Sequence, residues 1–417
     1  MQMIRFLRGL CLAVLFCLSA CTPRQPEGVI RLSTWGSPEE MAILKPLLQR
    51  FEVQSGLKVE LMHIPDKYFQ KLHALLAANL APDVMFVNNI QFPVYASNGA
   101  FLDLGPRLAA SDTLKEADFF PQSLDSFRWE GQLQALPRDV SNLVIFYNRD
   151  LFDAAGLPYP RADWTLTEMF DTAQKLSGPP DAQGQRQRFG ISFSDYFLFW
   201  LPYVWSAGGD IFDASRSRLT LNEPAALAGL QQYADLRHQL GAAPKSAEAG
   251  SLSMSQLFMQ QKLAMNLNGR WAVPLYRQNL EFNWDIVPFP QGPAGSIVDA
   301  DASGWVISSQ TRQPEAAWQL VSFLAGQQAA EAFSKPGLII PARRDVAYSE
   351  TFLTPGQPPA SAHYFLEAID SGRPVPAVPY WNAVLEQINQ ALEPVWEGRL
   401  TAEEALKGLE QRVDPLL

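Results

Sequence analysis

VIRLSTWGSPEEMAILKPLLQRFEVQSGLKVELMH, residues 29–63, reads as one β-α-β unit, and the fold class follows from it. Val29–Thr34 alternates apolar and polar residues, as a strand does, and ends at Trp35-Gly36. Ser37-Pro38-Glu39-Glu40 is a helix start: a capping serine, proline at the first helical position, glutamate at the third. Met41, Leu44, Leu47, Leu48 and Phe51 recur at helical spacing until Gly56, and Pro46 is a departure within that run. Lys58–His63 is the second strand. Tyr68–Ala78 is a second helix with Leu72, Leu75 and Leu76 inward, and Val84–Val87 a buried third strand ending at Asn88-Asn89. This β-α-β-α-β order predicts an α/β fold with a mainly parallel sheet. Ligands of such sheets bind beyond the carboxyl ends of the strands, where Trp35, Asn88 and Asn89 stand.

Further along, Phe127–Leu136 reads as a hairpin turning at Glu130-Gly131, followed by Pro137-Arg138-Asp139-Val140-Ser141-Asn142 as a crossing between lobes. Asp285–Phe289 and Gly304–Ile307 are expected to return as strands to the first lobe. Between them and the crossing lies Phe189–Phe212, FGISFSDYFLFWLPYVWSAGGDIF, with eight aromatic residues in its first seventeen. No single periodicity places all eight rings on one buried face, so several are expected to look into a cavity. Rings beside Gly208-Gly209 and Asp210 suit a polyhydroxylated ligand, whose C–H face stacks on the ring while its hydroxyls donate to the carboxylate. A purely aromatic core is the competing reading.

The first twenty residues read as a signal peptide: Arg5 and Arg8, then the apolar run Leu10–Leu18, too short to span a bilayer. Leu18-Ser19-Ala20-Cys21 resembles a bacterial lipobox, which implies cleavage before Cys21, lipidation of Cys21, and residues 21–28 as anchor and tether. All three cysteines lie in this leader, so the rest of the chain has neither a disulfide framework nor a cysteine metal site. Roughly 390 further residues exceed one ordinary core and predict about two domains. A formal charge of −10 without a basic run argues against nucleic acid as a partner. The four histidines are scattered without ligand spacing, there is no G-x-S-x-G elbow or phosphate loop, and neither metal nor cofactor is expected.

Eight segments in order carry a resemblance: APDVMFVN (81–88), YASNGAFLDL (95–104), LVIFYNRDLFDAAGL (143–157), WSAGGDIF (205–212), AMNLNGRW (264–271), SGWVISSQTRQPEAAWQLVSFL (303–324), IPARRDV (340–346) and GRLTAEEAL (398–406). Behind a lipobox, this set resembles the extracytoplasmic solute-binding proteins of ABC transporters, in the carbohydrate group with maltose, trehalose and glycerol-3-phosphate binders. The resemblance implies the two-lobed periplasmic-binding-protein fold of type II, with a ligand cleft between lobes. It implies a first lobe of 29–137 plus 272–310 and a second of 138–271 plus 311–417. It also implies Tyr68, Asp139, Ser141, Asn268, Trp271, Ser303, Gly304, Trp305 and Arg343 as cleft residues, beside Trp35, Asn88, Asn89, Trp205 and Asp210. Trp305, within GWVI, fits a core position equally well, and Arg344 rivals Arg343.

The implied function is capture of a mono- or disaccharide or polyol glycoside for an ABC import permease, by a monomeric, membrane-anchored protein outside the cytoplasm. Arg343 with Arg344 keeps a glycerol-3-phosphate-type ligand as the alternative. A glycoside hydrolase would need paired carboxylates, for which Asp139 and Asp210 are the available candidates. A surface scaffold would explain the anchor but not the two lobes.

Overall fold

The structure, a computed structural model, describes residues 28–183 and 185–417; the leader, with Cys21, lies outside the described residues. Val29–Thr34 pairs in parallel with Lys58–His63 on one side and with Val84–Asn88 on the other. Helices Pro38–Ser55 and Tyr68–Ala77 make the two crossovers. The first helix starts as its sequence dictates: Ser37 Oγ accepts from the Glu40 amide, and Gly56 ends it in the left-handed conformation. It runs on through Pro46, which stands on the exposed side. Val84–Val87 is buried along its whole length, as expected of a central strand covered on both faces.

The sheet does not stay parallel. Asp301–Ile307 inserts antiparallel between Val84–Asn88 and Ala135–Ser141, and Ile340–Pro341 adds an outer strand. A second sheet runs Trp284–Val287, Leu143–Asn148, Leu263–Gly269, Phe189–Ile191. Leu143, Ile145 and Tyr147 of its second strand face one hydrophobic cluster; Val144 and Phe146 face the other, which continues into the first sheet. The period of two thus buries both faces of this sheet.

Three expectations about the lobes are corrected. Trp284–Val287 does not return to the first sheet but pairs antiparallel with Leu143–Asn148. There Trp284 lies beside Phe146, with ring centroids 5.8 Å apart. Nor does the chain after residue 310 belong wholly to the second lobe. Helix Pro314–Leu324 buries Leu320, Val321 and Leu324 in the first cluster, where Phe333 and Ile340 join them. Only from Val375 onward do the buried residues belong consistently to the second cluster. The first crossing also sits later than Arg138: Ala135–Ser141 stays in the first sheet, and Asn142 marks the passage, its amide donating to Phe365 O at 2.7 Å.

Gly190 shows how tightly the second sheet is covered. A Cβ there would stand 1.9 Å from Ala173 O on helix Leu166–Leu176. Gly190→Ala is therefore expected to cost about 1–3 kcal/mol of stability, the usual cost of overpacking. Urea unfolding of the variant would read this; a loss below about 0.5 kcal/mol, the scale of a neutral surface change, would contradict it.

Candidate ligand cleft between the two sheets

The carboxyl ends of the first sheet open into a cleft of about 300 Å³. Trp35 forms one wall directly after its strand. Its ring is held against Phe86 (4.4 Å between centroids), Tyr68 (5.0 Å) and Phe69 (5.3 Å). Asn88, Asn89, Asp139, Ser141 and Ser303 line the same side. Opposite them stand Tyr196 and Leu198 at the start of helix Phe197–Ser206, and Trp271 just after the Leu263–Gly269 strand. Tyr196 and Trp271 are among the few large rings left exposed, at 50% and 41%. Trp271 packs against Gly269, where a Cβ would be 2.0 Å from its ring.

The floor is ionic. Arg138, 8% exposed, pairs with Glu40 and, at 2.6 Å, with Asp139, and its guanidinium lies 4.1 Å from the Phe86 centroid. The other Asp139 oxygen accepts from the Ser303 amide at 3.2 Å. Burial raises the Asp139 pKa, and Arg138 counters only part of that rise. Burial alone would lower the Arg138 pKa, but Glu40 and Asp139 reverse it, so the cation persists.

A second acidic group lies at the passage into the Asp301–Ile307 strand. Asp301 Oδ1 accepts from Asn89 Nδ2 (2.6 Å) and the Val375 amide (3.0 Å), whereas its buried Oδ2 has no hydrogen-bond partner among the described residues. Burial pushes Asp301 up to about 6. Asp299, fully buried and outside any ion pair among the described residues, is pushed well above the usual carboxylate range by burial and then by Asp301. Arg270 also reaches the cleft. It is buried, stacked 4.2 Å from Phe352, and bonded to the carbonyls of Gly337 and Phe352, with Nη1 buried and unpartnered among the described residues. Burial lowers its pKa to about 9, which leaves it a cation at neutral pH.

The remaining candidates lie elsewhere. Tyr68 is buried behind Trp35, its hydroxyl on Ser33 Oγ at 2.9 Å, so it supports the wall from behind. Trp205 is fully buried and donates to Asp210 at 2.9 Å; Asp210 pairs with Arg373 at 3.3 Å. These three line a separate depression. Asn268 is spent on Ser255, Tyr276 and the Gly269 amide. Gly304 packs against Leu136 O, 2.6 Å from where its Cβ would be, and Trp305 is fully buried against Phe86 at 4.5 Å. Arg343 pairs with Asp345 (2.8 Å) and Asp118 (3.3 Å), outside the cleft. Of the eight rings in the aromatic stretch, Tyr196 alone lines the cleft, because helix Phe197–Ser206 is buried nearly all round. Asp139 and Asp210, the pair nominated for hydrolysis, line different cavities.

Glu40, Arg138, Tyr196, Arg270 and Asp301 also line the cleft, and no local sequence signal marks them: Glu40 reads as part of a helix start and Tyr196 as one ring among eight. As an assembly, the cleft offers two exposed rings from one side, a tryptophan wall from the other, and fixed amide, hydroxyl and carboxylate groups between. It has the composition of a binding site for a ligand rich in hydroxyls.

Relatives are similar over nearly the whole chain. The galactooligosaccharide-binding protein of Bacillus subtilis (strain 168) is 24% identical over 416 residues, covering 95% of this chain and 93% of its own. The maltodextrin-binding protein MdxE of the same organism is 22% identical over 342 residues, 78% of this chain and 76% of its own. The ABC substrate-binding protein Lmo0181 from Listeria monocytogenes, solved in complex with cycloalternan, superposes with a TM-score of 0.85 at 27% identity, covering 93% of this chain and 98% of that one. Its likeness places the two sheets in a two-lobed periplasmic-binding fold. The profile of the bacterial extracellular solute-binding proteins matches residues 35–331, more than half of the chain, and the protein belongs to that family.

Proposed function

We propose that the protein captures a neutral oligosaccharide in this cleft and presents it to an ABC import permease. The observation that carries the reading is the convergence of Trp35 from one sheet and Trp271 and Tyr196 from the other on a single cleft floored by Asn89, Asp139 and Asp301. Stacking faces with fixed acceptors between them match a sugar's two chemistries. The names of the relatives point the same way: galactooligosaccharide, maltodextrin and cycloalternan. Ligand contacts with both lobes would favour a closed arrangement by their differential affinity. The protein would act outside the cytoplasm as a monomer, anchored through Cys21, and return its ligand unchanged.

A phosphate-bearing ligand is less well served. Of the cleft's two arginines, Arg138 is spent on Glu40 and Asp139, and Arg270 holds the Gly337 and Phe352 carbonyls with its remaining nitrogen buried; Arg343 is spent on Asp118 and Asp345 away from the cleft. The test is thermal unfolding of the purified protein against neutral oligosaccharides and glycerol 3-phosphate. A neutral saccharide at a hundred times its Kd should add about 2.7 kcal/mol by mass action and be recovered intact. A shift with glycerol 3-phosphate alone, or recovery of cleaved sugar, would overturn the reading.

A further inference from the structure

Helix Pro38–Ser55 starts beside the cleft, where Glu40 lines it, and ends at Ser55. Fifteen residues of helix put its far end about 22 Å away. There it meets helix Pro314–Leu324, and the two enclose a second groove of about 670 Å³, larger than the cleft. Trp318 and Phe323, both half-buried, supply its aromatic surface, and Phe51 underlies them, its centroid 5.5 Å from that of Phe323. Gln54, Gln319 and Thr113 supply amides and a hydroxyl around it. None of its thirteen lining residues is charged, on a chain of formal charge −10.

Ser322 adds a second observation. It lines this groove, and its buried Oγ has no hydrogen-bond partner among the described residues. A helical serine ordinarily returns its hydroxyl to a carbonyl one turn back. A buried hydroxyl left unpaired is a standing cost that a ligand group could remove. An apolar partner would leave the ring of amides and the Ser322 hydroxyl unmatched, and a charged ligand would find no counter-charge among the lining side chains. Rings flanked by neutral donors and acceptors match a neutral sugar.

We propose that this groove is a second saccharide site, for a neutral sugar, at the end of the first lobe opposite the cleft. Its distance along helix Pro38–Ser55 makes it independent of the cleft's own subsites. The test uses saturation-transfer NMR on the full chain, with maltotriose and galactotriose as probes at millimolar concentration. Trp271→Ala with Tyr196→Ala first disables the cleft. Transfer to a probe should persist in that variant and fall about tenfold when Trp318→Ala removes one stacking face. Because Trp318 is half-buried, Gln319→Glu at an exposed position serves as a second variant, and it should give the same loss without moving the unfolding midpoint. The proposal is overturned by transfer that vanishes with the cleft variants alone, by transfer indifferent to Trp318→Ala and Gln319→Glu, by no transfer to either probe, or by an apolar tripeptide giving transfer in place of the saccharides.

Discussion

Arg138→Met is expected to lower the stability of the protein by about 3–5 kcal/mol, because it leaves two buried carboxylates without their cation. Glu40 and Asp139 are about 10% and 8% exposed, and no other Arg, Lys or His pairs with either among the described residues. The guanidinium also packs against Phe86 and Phe333, 4.1 and 4.9 Å from their centroids, so methionine keeps much of the packing and isolates the charge. Adding Glu40→Gln and Asp139→Asn to Arg138→Met should recover most of the loss, since neutral groups of the same shape leave no unpaired charge. Urea unfolding of the single and triple variants measures both effects. A single-variant loss below about 1 kcal/mol would place the trio among weak surface pairs.

Stability should also fall as pH rises through the range of Asp301 and Asp299. Both have folded pKa values raised by burial, so the folded state binds more protons than the unfolded chain above pH ~4. The stabilising contribution is whole below the unfolded carboxylate pKa and is lost as pH climbs through the folded values. Asp301 gives up its share first, and Asp299, held higher by burial and by Asp301, extends the loss to higher pH. Carboxylates held low, such as Glu52 beside the Val59 amide, act in the opposite sense in acid, so the comparison must be between variants. Asp299→Asn and Asp301→Asn should each raise the unfolding midpoint at pH 8 and flatten its decline between pH 4.5 and 8. Curves parallel to wild type would show that the carboxylates are compensated in solution.

The legible parts of the fold are those whose signals are local. Ser37 and Gly56 bound a helix that the spacing of Met41 to Phe51 announces, and the strands at 29, 58 and 84 follow from alternation and apolar runs. The strand order also sets Trp35, Asn88 and Asn89 at the carboxyl ends of the strands, and these three line the cavity there. What was hidden depends on partners far away in sequence. Trp284–Val287 is as apolar as a first-lobe strand, and only its pairing with Leu143–Asn148 tells the sheets apart. Glu40 and Arg138 are 98 residues apart, so neither reads as half of an ion pair.

Residue type misled at the site for a related reason. Trp205, Trp305, Asn268 and Arg343 have the right chemistry for a sugar, but each already satisfies a neighbour or fills the core. Tyr196 and Trp205 stand nine positions apart in one aromatic run. The first caps a helix at the cleft and the second lies in its buried last turn, a distinction set by the helices packed around them.

In the proposed function, the cleft between the sheets holds the sugar by stacking from both sides. Calorimetric titration of wild type and Trp271→Ala with the saccharide that shifts unfolding tests it most directly. Loss of this half-exposed ring should weaken binding at least about tenfold, the scale of one aromatic face, while leaving the unliganded unfolding midpoint in place. Unchanged affinity in Trp271→Ala would contradict the account and place the ligand elsewhere.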